Sequence, residues 1–167
     1  MRKKARYLAQ CGMIAALYVI LSHLQNILLP GTASMAVQFR VAEALCVLAF
    51  FTPAAIPGLS LGCLLFNLSY AQALPLDAVI GTLATALSAT FMWRSRLLTI
   101  KGYPLLGLLM PALWNGVLVG WELSLYIGGG FWLNAILVAA GELGVLLTLG
   151  SGLYYGFKVR KLDKKLF

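Results

Sequence analysis

Six long apolar segments, a scarcity of charge and the one-sided placement of the basic residues predict an all-α membrane protein. The expected architecture is a six-transmembrane-helix bundle with both termini cytoplasmic, built as a single domain over residues 1–167. Hydrophobic residues make up 61% of the chain and charged residues 11%, with a mean hydropathy of +0.89. A soluble domain carries roughly 25% charge. Between Arg6 and Arg40 lie 33 consecutive uncharged residues. Such a chain cannot cover itself with polar side chains, which excludes an ordinary soluble enzyme, a disordered chain and a disulfide-stapled secreted module.

A helix needs about 20 apolar residues to cross the hydrocarbon, and fewer inside a bundle. The first segment runs from about Ala5 to Leu29 and stops at Pro30-Gly31. Its apolar stretch is too long for a cleaved signal peptide, despite the Ser34-Met35-Ala36 pattern that follows. The second is short, from about Gln38 to Phe51. Thr52 as a cap and Pro53 at a first helical position predict a tight turn into the third, which ends near Tyr70. Pro53 and Pro57 argue against one straight helix there, and a re-entrant hairpin is the alternative. The fourth spans Leu76 to Trp93, the fifth Pro104 to Tyr126 and the sixth Phe131 to Phe157.

Positive-inside bias supports this count. With six spans, twelve of the thirteen Lys and Arg residues fall on one side, at the two chain ends and in the loop holding Arg94, Arg96 and Lys101. That side becomes the cytoplasm, and the exception is Arg40. The net charge of +8 is then topology signal and lipid headgroup contact, not a nucleic-acid surface. Cys11, Cys46 and Cys63 each lie in apolar runs and read as small buried hydrophobes.

Polar side chains within the spans are costly unless partnered or facing a cavity, so they mark function. Arg40 and Glu43 share a helix face at the outer start of the second span, where an intrahelical ion pair is the plain alternative. Asn67 lies near the outer end of the third span and Asp77 at the outer start of the fourth, where it also suits the helix dipole. Asn115 and Glu122 share a face of the fifth; Asn134 and Glu142 run inward along the sixth. The three asparagines could instead be interhelical hydrogen-bond glue. Glu122 and Glu142 lack a Lys or Arg at i±3 or i±4, so a ligand role is expected of them. Four of the five acids thus fall in the outer half, and Asp163 in the tail is the fifth.

Carboxylates and amides near Trp114, Trp121 and Trp132 suit a planar, donor-rich molecule. A guanine-like edge offers paired N–H donors and a face for aromatic stacking. Trp121 adjoins Glu122 in sequence but lies about 100° round the helix. A lone His23 and the absence of HExxH, DxD or Cys-cluster patterns predict no metal site, and no cofactor is expected. Gly128-Gly129-Gly130 is no phosphate loop, so any nucleotide motor must be another chain. Small-xxx-small pairs at Gly12/Ala16, Gly58/Gly62, Gly116/Gly120 and Gly152/Gly156 permit close helix approach.

The run Met35-Ala36-Val37-Gln38-Phe39-Arg40-Val41-Ala42-Glu43-Ala44-Leu45, followed by Phe51-Thr52-Pro53-Ala54-Ala55-Ile56-Pro57-Gly58, resembles the QueT family. So do Asp77 through Thr85, Asn115-Gly116 with Glu122-Leu123, Phe131-Trp132-Leu133-Asn134 and Gly141-Glu142. The resemblance implies an S-component, the substrate-binding subunit of an energy-coupling factor (ECF) transporter for queuosine precursors in the bacterial plasma membrane. It implies partners: a transmembrane T-component, two ATPase subunits and a 7-deazapurine substrate such as 7-aminomethyl-7-deazaguanine. It also implies that Gly12 and Ala16, with Gly in place of the usual first Ala, dock the T-component. On this reading Glu122 or Glu142 takes the guanine-edge donors, Arg40 or an Asn the O6 acceptor, and another carboxylate the aminomethyl cation. The alternative is a proton-coupled secondary transporter of a small polar heterocycle. An intramembrane enzyme lacks a nucleophile–base pair or metal set.

Overall fold

The computed structural model describes residues 2–32, 38–70 and 73–162. The Ser34–Ala36 cleavage-like pattern, the Met35–Val37 part of the family block, and Asp163 lie outside the described residues. The described chain is all-helical, with α1 (Arg2–Leu28), a 3₁₀ helix (Val41–Phe50), α2 (Ala55–Ser69), α3 (Asp77–Arg94), α4 (Leu105–Leu108), α5 (Met110–Tyr126), α6 (Phe131–Val145) and α7 (Ser151–Val159). Each of the six expected segments contains helix. Lys3–Leu28, Leu105–Tyr126 and Phe131–Val159 are long and apolar enough to cross a membrane; Val41–Phe50 and Ala55–Ser69 are apolar but shorter.

Three boundaries differ from the sequence reading for physical reasons. The second segment is a ten-residue 3₁₀ helix, not a continuous helix from Gln38. At about 2.0 Å rise per residue it is about 20 Å long, short of a hydrocarbon core of about 30 Å. It survives because it is the hub of the bundle: every residue from Ala42 to Phe50 is buried. The next helix, expected to start at about Pro53 or Ala54, begins at Ala55. Thr52 still caps the turn, since the Ala54 N–H donates to its hydroxyl at 3.3 Å. The sixth segment is interrupted by a π-turn over Leu146–Gly150, where the Ser151 hydroxyl donates to the Leu146 carbonyl.

Around the hub the helices pack in the order α1–α2–α3–α5–α6. Glycines set two of these contacts. A methyl at Gly62 would stand 2.7 Å from the Tyr18 Cβ and 2.9 Å from the Ala15 carbonyl, so α2 lies directly on α1. A methyl at Gly120 would stand 2.6 Å from the Ala135 Cα, which fixes α5 against α6. Gly12, Gly152 and Gly156 have nothing within 4 Å. Two small-residue pairs therefore build the bundle, and the pairs on α1 and α7 face outward.

One end of the bundle is basic. Lys3 and Arg6 share a cleft with Phe51 and Pro53, and Phe51 stacks on Tyr154 and Phe157 of α7. Lys158 reaches the Gly102 carbonyl in the loop after α3, joining α7 to that loop. The apolar surface is turned outward, with Leu8, Ile20, Ile27, Leu133 and Ile136 exposed, while Glu43, Glu122 and Glu142 are fully buried. That inversion is the mark of a chain solvated by lipid.

Gly120→Leu is expected to destabilise the detergent-solubilised protein by about 1–3 kcal/mol or more through overpacking. Gly152→Leu, facing open space, should leave the thermal midpoint within a degree or two; differential scanning fluorimetry with a thiol or tryptophan readout checks both.

Candidate substrate site

Glu43 organises the interior. Its Oε1 accepts from the Tyr18 hydroxyl at 2.6 Å and from Thr85 at 3.3 Å, and its Oε2 accepts from the Cys46 thiol at 3.0 Å. These donors lie on α1, α3 and the 3₁₀ helix itself, so one carboxylate ties the hub to two walls. The sequence reading paired Glu43 with Arg40 on one face; the structure commits its oxygens to protein donors instead.

Residues 38–41 lead into the hub and are clamped by Gln25. Its amide nitrogen donates to the Phe39 carbonyl and to the Thr32 hydroxyl (3.0 Å), and its oxygen accepts the Val41 N–H at 2.8 Å. Gly141 lets this segment lie on α6, because a methyl there would overlap the Gln38 carbonyl. Arg40 is thereby held part-buried over α3: a methyl at Gly81 would meet Asn67 Nδ2 at 2.9 Å and Arg40 Nη1 at 3.6 Å. Arg40 is in electrostatic reach of Asp77 and Glu142.

The glycine contacts give the register of α5 on α6, with Gly116 against Ala139 and Gly120 against Ala135. Asn115 and Glu142 therefore lie within about one turn of each other along the bundle, and Glu122 and Asn134 share a level about two turns nearer the end away from the basic residues. Asp77, at the start of α3, brings its carboxyl within hydrogen-bonding reach of Glu122, on which Arg40 also acts; Glu43 and Arg40 act on Glu142. Two tiers result: Asn115, Glu142 and Glu43 deep, and Asn67, Asp77, Glu122 and Asn134 shallow, with Arg40 reaching both.

The tiers differ in what is already satisfied. Asn67 donates to the Asp77 carbonyl at 2.8 Å, which is the glue role between α2 and α3. Asp77 Oδ2 accepts the Leu74 N–H at 2.6 Å and closes the turn before α3. Asn134 donates to the Gly128 carbonyl at 2.7 Å and pins the glycine turn, whose three glycines all have positive φ. By contrast, the buried oxygens of Glu122 face the Asp77 carboxyl and lack a donor from elsewhere, and both oxygens of Glu142 and both amide atoms of Asn115 are buried with no hydrogen-bond partner. Gln38 Oε1 and Trp114 Nε1 share that condition.

Buried polar groups are almost always paired, and leaving one bare costs about 1–3 kcal/mol. Both amide atoms of Asn26 and the Thr82 hydroxyl are bare as well, so the unpaired acceptors on α5 and α6 are part of a wider set of buried polar atoms with room for a partner. Trp121 is the sequence candidate that does not join them: it is 45% exposed on the outer face of α5. Gly12 and Ala16 are exposed on α1, where a partner can reach them. Sequence reasoning missed Tyr18, Gln25 and Gln38. Tyr18 and Gln25 share the inner stripe of α1 with Ile14, so a polar residue on an apolar stripe was the available signal. Among the described residues, no group of three or more His, Cys, Asp or Glu is placed to hold a metal ion.

An all-helical bundle with a lipid-facing exterior and an unsatisfied polar interior defines a membrane transport protein for a small molecule. The family described as QueT transporter matches residues 8–158, nearly the whole chain, and the chain belongs to that family of transporters, which is not one of enzymes. Among curated proteins and solved structures none matches.

Tyr18→Phe removes a buried donor from Glu43 and is expected to lower stability by about 1–3 kcal/mol, measured as a fall in thermal midpoint. Asn115→Leu does the reverse in the ligand-free protein, raising the midpoint, because a buried unpaired amide is replaced by an apolar side chain of similar size.

Proposed function

We propose that the chain is the substrate-binding S-component of an ECF-type ABC transporter in the bacterial plasma membrane. It crosses the membrane six times with both termini cytoplasmic, captures its substrate from outside and releases it inward on docking to an ATP-driven module. The observation that carries the binding role is the set of bare buried polar atoms on Glu122, Glu142 and Asn115. The family supports the transport role. The basic end supports the sidedness, since Lys and Arg gather on the cytoplasmic side of membrane proteins.

The substrate in this reading is a 7-deazaguanine such as 7-aminomethyl-7-deazaguanine. Its guanine edge presents adjacent N–H donors, which a carboxylate accepts in pairs, and an exocyclic oxygen that needs a donor. Glu142 takes the paired donors in the deep tier, where Asn115 supplies the complementary amide. Glu122 and Asp77 in the shallow tier receive the aminomethyl cation. Arg40 donates to the carbonyl oxygen, while Glu43 holds the 3₁₀ helix that carries Arg40. Asn67 and Asn134 shape the outer rim. Gly12 and Ala16 form the flat part of α1 on which the T-component rests; the two ATPase subunits supply the energy that this chain has no loop to bind.

A proton-coupled secondary transporter is the competing reading, and buried carboxylates of the kind seen at Glu122 and Glu142 are what it would use. Transport by the purified chain alone in a proton gradient would establish it.

Titration of the purified protein with 7-aminomethyl-7-deazaguanine tests the site. Glu142→Gln and Glu122→Gln should each weaken binding about tenfold to a hundredfold, since a hydrogen bond to a charged group contributes about 1.5–3 kcal/mol. Unchanged affinity in both variants overturns the assignment.

A further inference from the structure

The basic end carries a second feature that substrate binding does not use. A cleft of about 320 Å³ opens between the start of α1 and the turn joining the 3₁₀ helix to α2, lined by Lys3, Arg6, Tyr7, Gln10, Phe51, Thr52 and Pro53. Two cations converge on it and no carboxylate lines it. Its polar floor is Gln10 and Thr52, both buried and 3.4 Å apart across the helix contact. Beside it runs an open groove of about 390 Å³ with hydrocarbon walls, lined by Lys3, Lys4, Tyr7 and Leu8. Lys3 and Tyr7 belong to both.

We propose that this pair of cavities is a binding site for one anionic phospholipid, with its phosphate between Lys3 and Arg6 and an acyl chain along Tyr7 and Leu8. Charge complementarity and the continuous apolar groove choose the occupant. A free phosphate would use the cationic cleft and leave the groove empty, whereas a lipid fills both. Basic recesses at the cytoplasmic ends of membrane helices take anionic headgroups, at about 1 kcal/mol per Lys or Arg. Tyr7, exposed on α1 one turn after Lys3, lines both cavities and offers its ring as apolar surface where the headgroup site meets the groove. The lipid would brace the start of α1 against the Phe51–Pro53 turn, the joint from which the 3₁₀ hub is suspended. The site rests on the basic end lying at a membrane surface and is independent of the identity of the transported molecule.

Native mass spectrometry of the full-length protein, released from mixed phosphatidylglycerol and phosphatidylcholine micelles, tests this. The expected result is one tightly retained phosphatidylglycerol, lost about tenfold more readily in Lys3→Gln/Arg6→Gln. Arg160→Gln/Lys161→Gln removes the same charge elsewhere on the basic end and should leave retention unchanged. Leu8→Ser should weaken retention without any change of charge. Equal retention of both lipids, or an equal effect of the two charge pairs, overturns the site. Displacement of the lipid by millimolar inorganic phosphate would make it a free-anion site and overturn the lipid assignment.

Discussion

The hydrogen bonds that saturate Glu43 are the constraint from which the interior follows. A ten-residue 3₁₀ helix is intrinsically poor, because its hydrogen bonds are strained and its side chains eclipse every third residue. Here it is held by Tyr18 from α1, Thr85 from α3 and its own Cys46, all converging on one buried carboxylate. With the hub fixed, Arg40 is set one turn away over Gly81, and residues 38–41 are laid along Gly141 with Gln25 closing the clamp. The glycines are the counterpart of these bonds. At Gly62, Gly81, Gly120 and Gly141 the absence of a side chain is what lets a polar group or a neighbouring backbone come close.

Polar residues that hold the fold are separated in the same way from those whose groups stay unpaired. Asn67, Asp77 and Asn134 each spend a group on a turn or a neighbouring helix, and each sits at the end away from the basic residues, where helices begin and finish. Asn115 lies within α5, Glu122 in its last turns and Glu142 near the junction of α6 with the π-turn, and none of them meets an open backbone group. A side chain there finds no local partner, and its hydrogen-bonding capacity stays open.

Much of this was legible in the sequence, and the losses have a common cause. The apolar runs placed all six helical segments because their lengths and Pro/Gly stops are local properties. Glu122 and Glu142 stood out because a carboxylate with no cation at i±3 or i±4 is conspicuous on any helix. Tyr18 and Gln25 were hidden because their roles depend on which face of a helix meets the hub, and apolar patterning is weak when the exterior is lipid. The 3₁₀ helix was hidden for the same reason: residues 41–50 read as any short apolar helix, and only burial on every side permits the tighter winding. Trp121 was the converse error of proximity in sequence, since adjacency to Glu122 turns it outward. Gly12 and Gly58 share one spacing pattern, yet only contact distinguishes a face that packs internally from one that is open.

In the proposed function, the bare polar atoms of Glu142, Asn115 and Glu122 are completed by one bound molecule. A cryo-electron microscopy or crystal structure with 7-aminomethyl-7-deazaguanine bound measures it most directly. The expected result is ligand nitrogens within about 3.2 Å of the Glu142 carboxylate, the ring inside the bundle at the level of Asn115, and the Tyr18–Glu43 bond intact. A ligand seated elsewhere, with water or a protein donor satisfying Glu142 and Asn115, would contradict it.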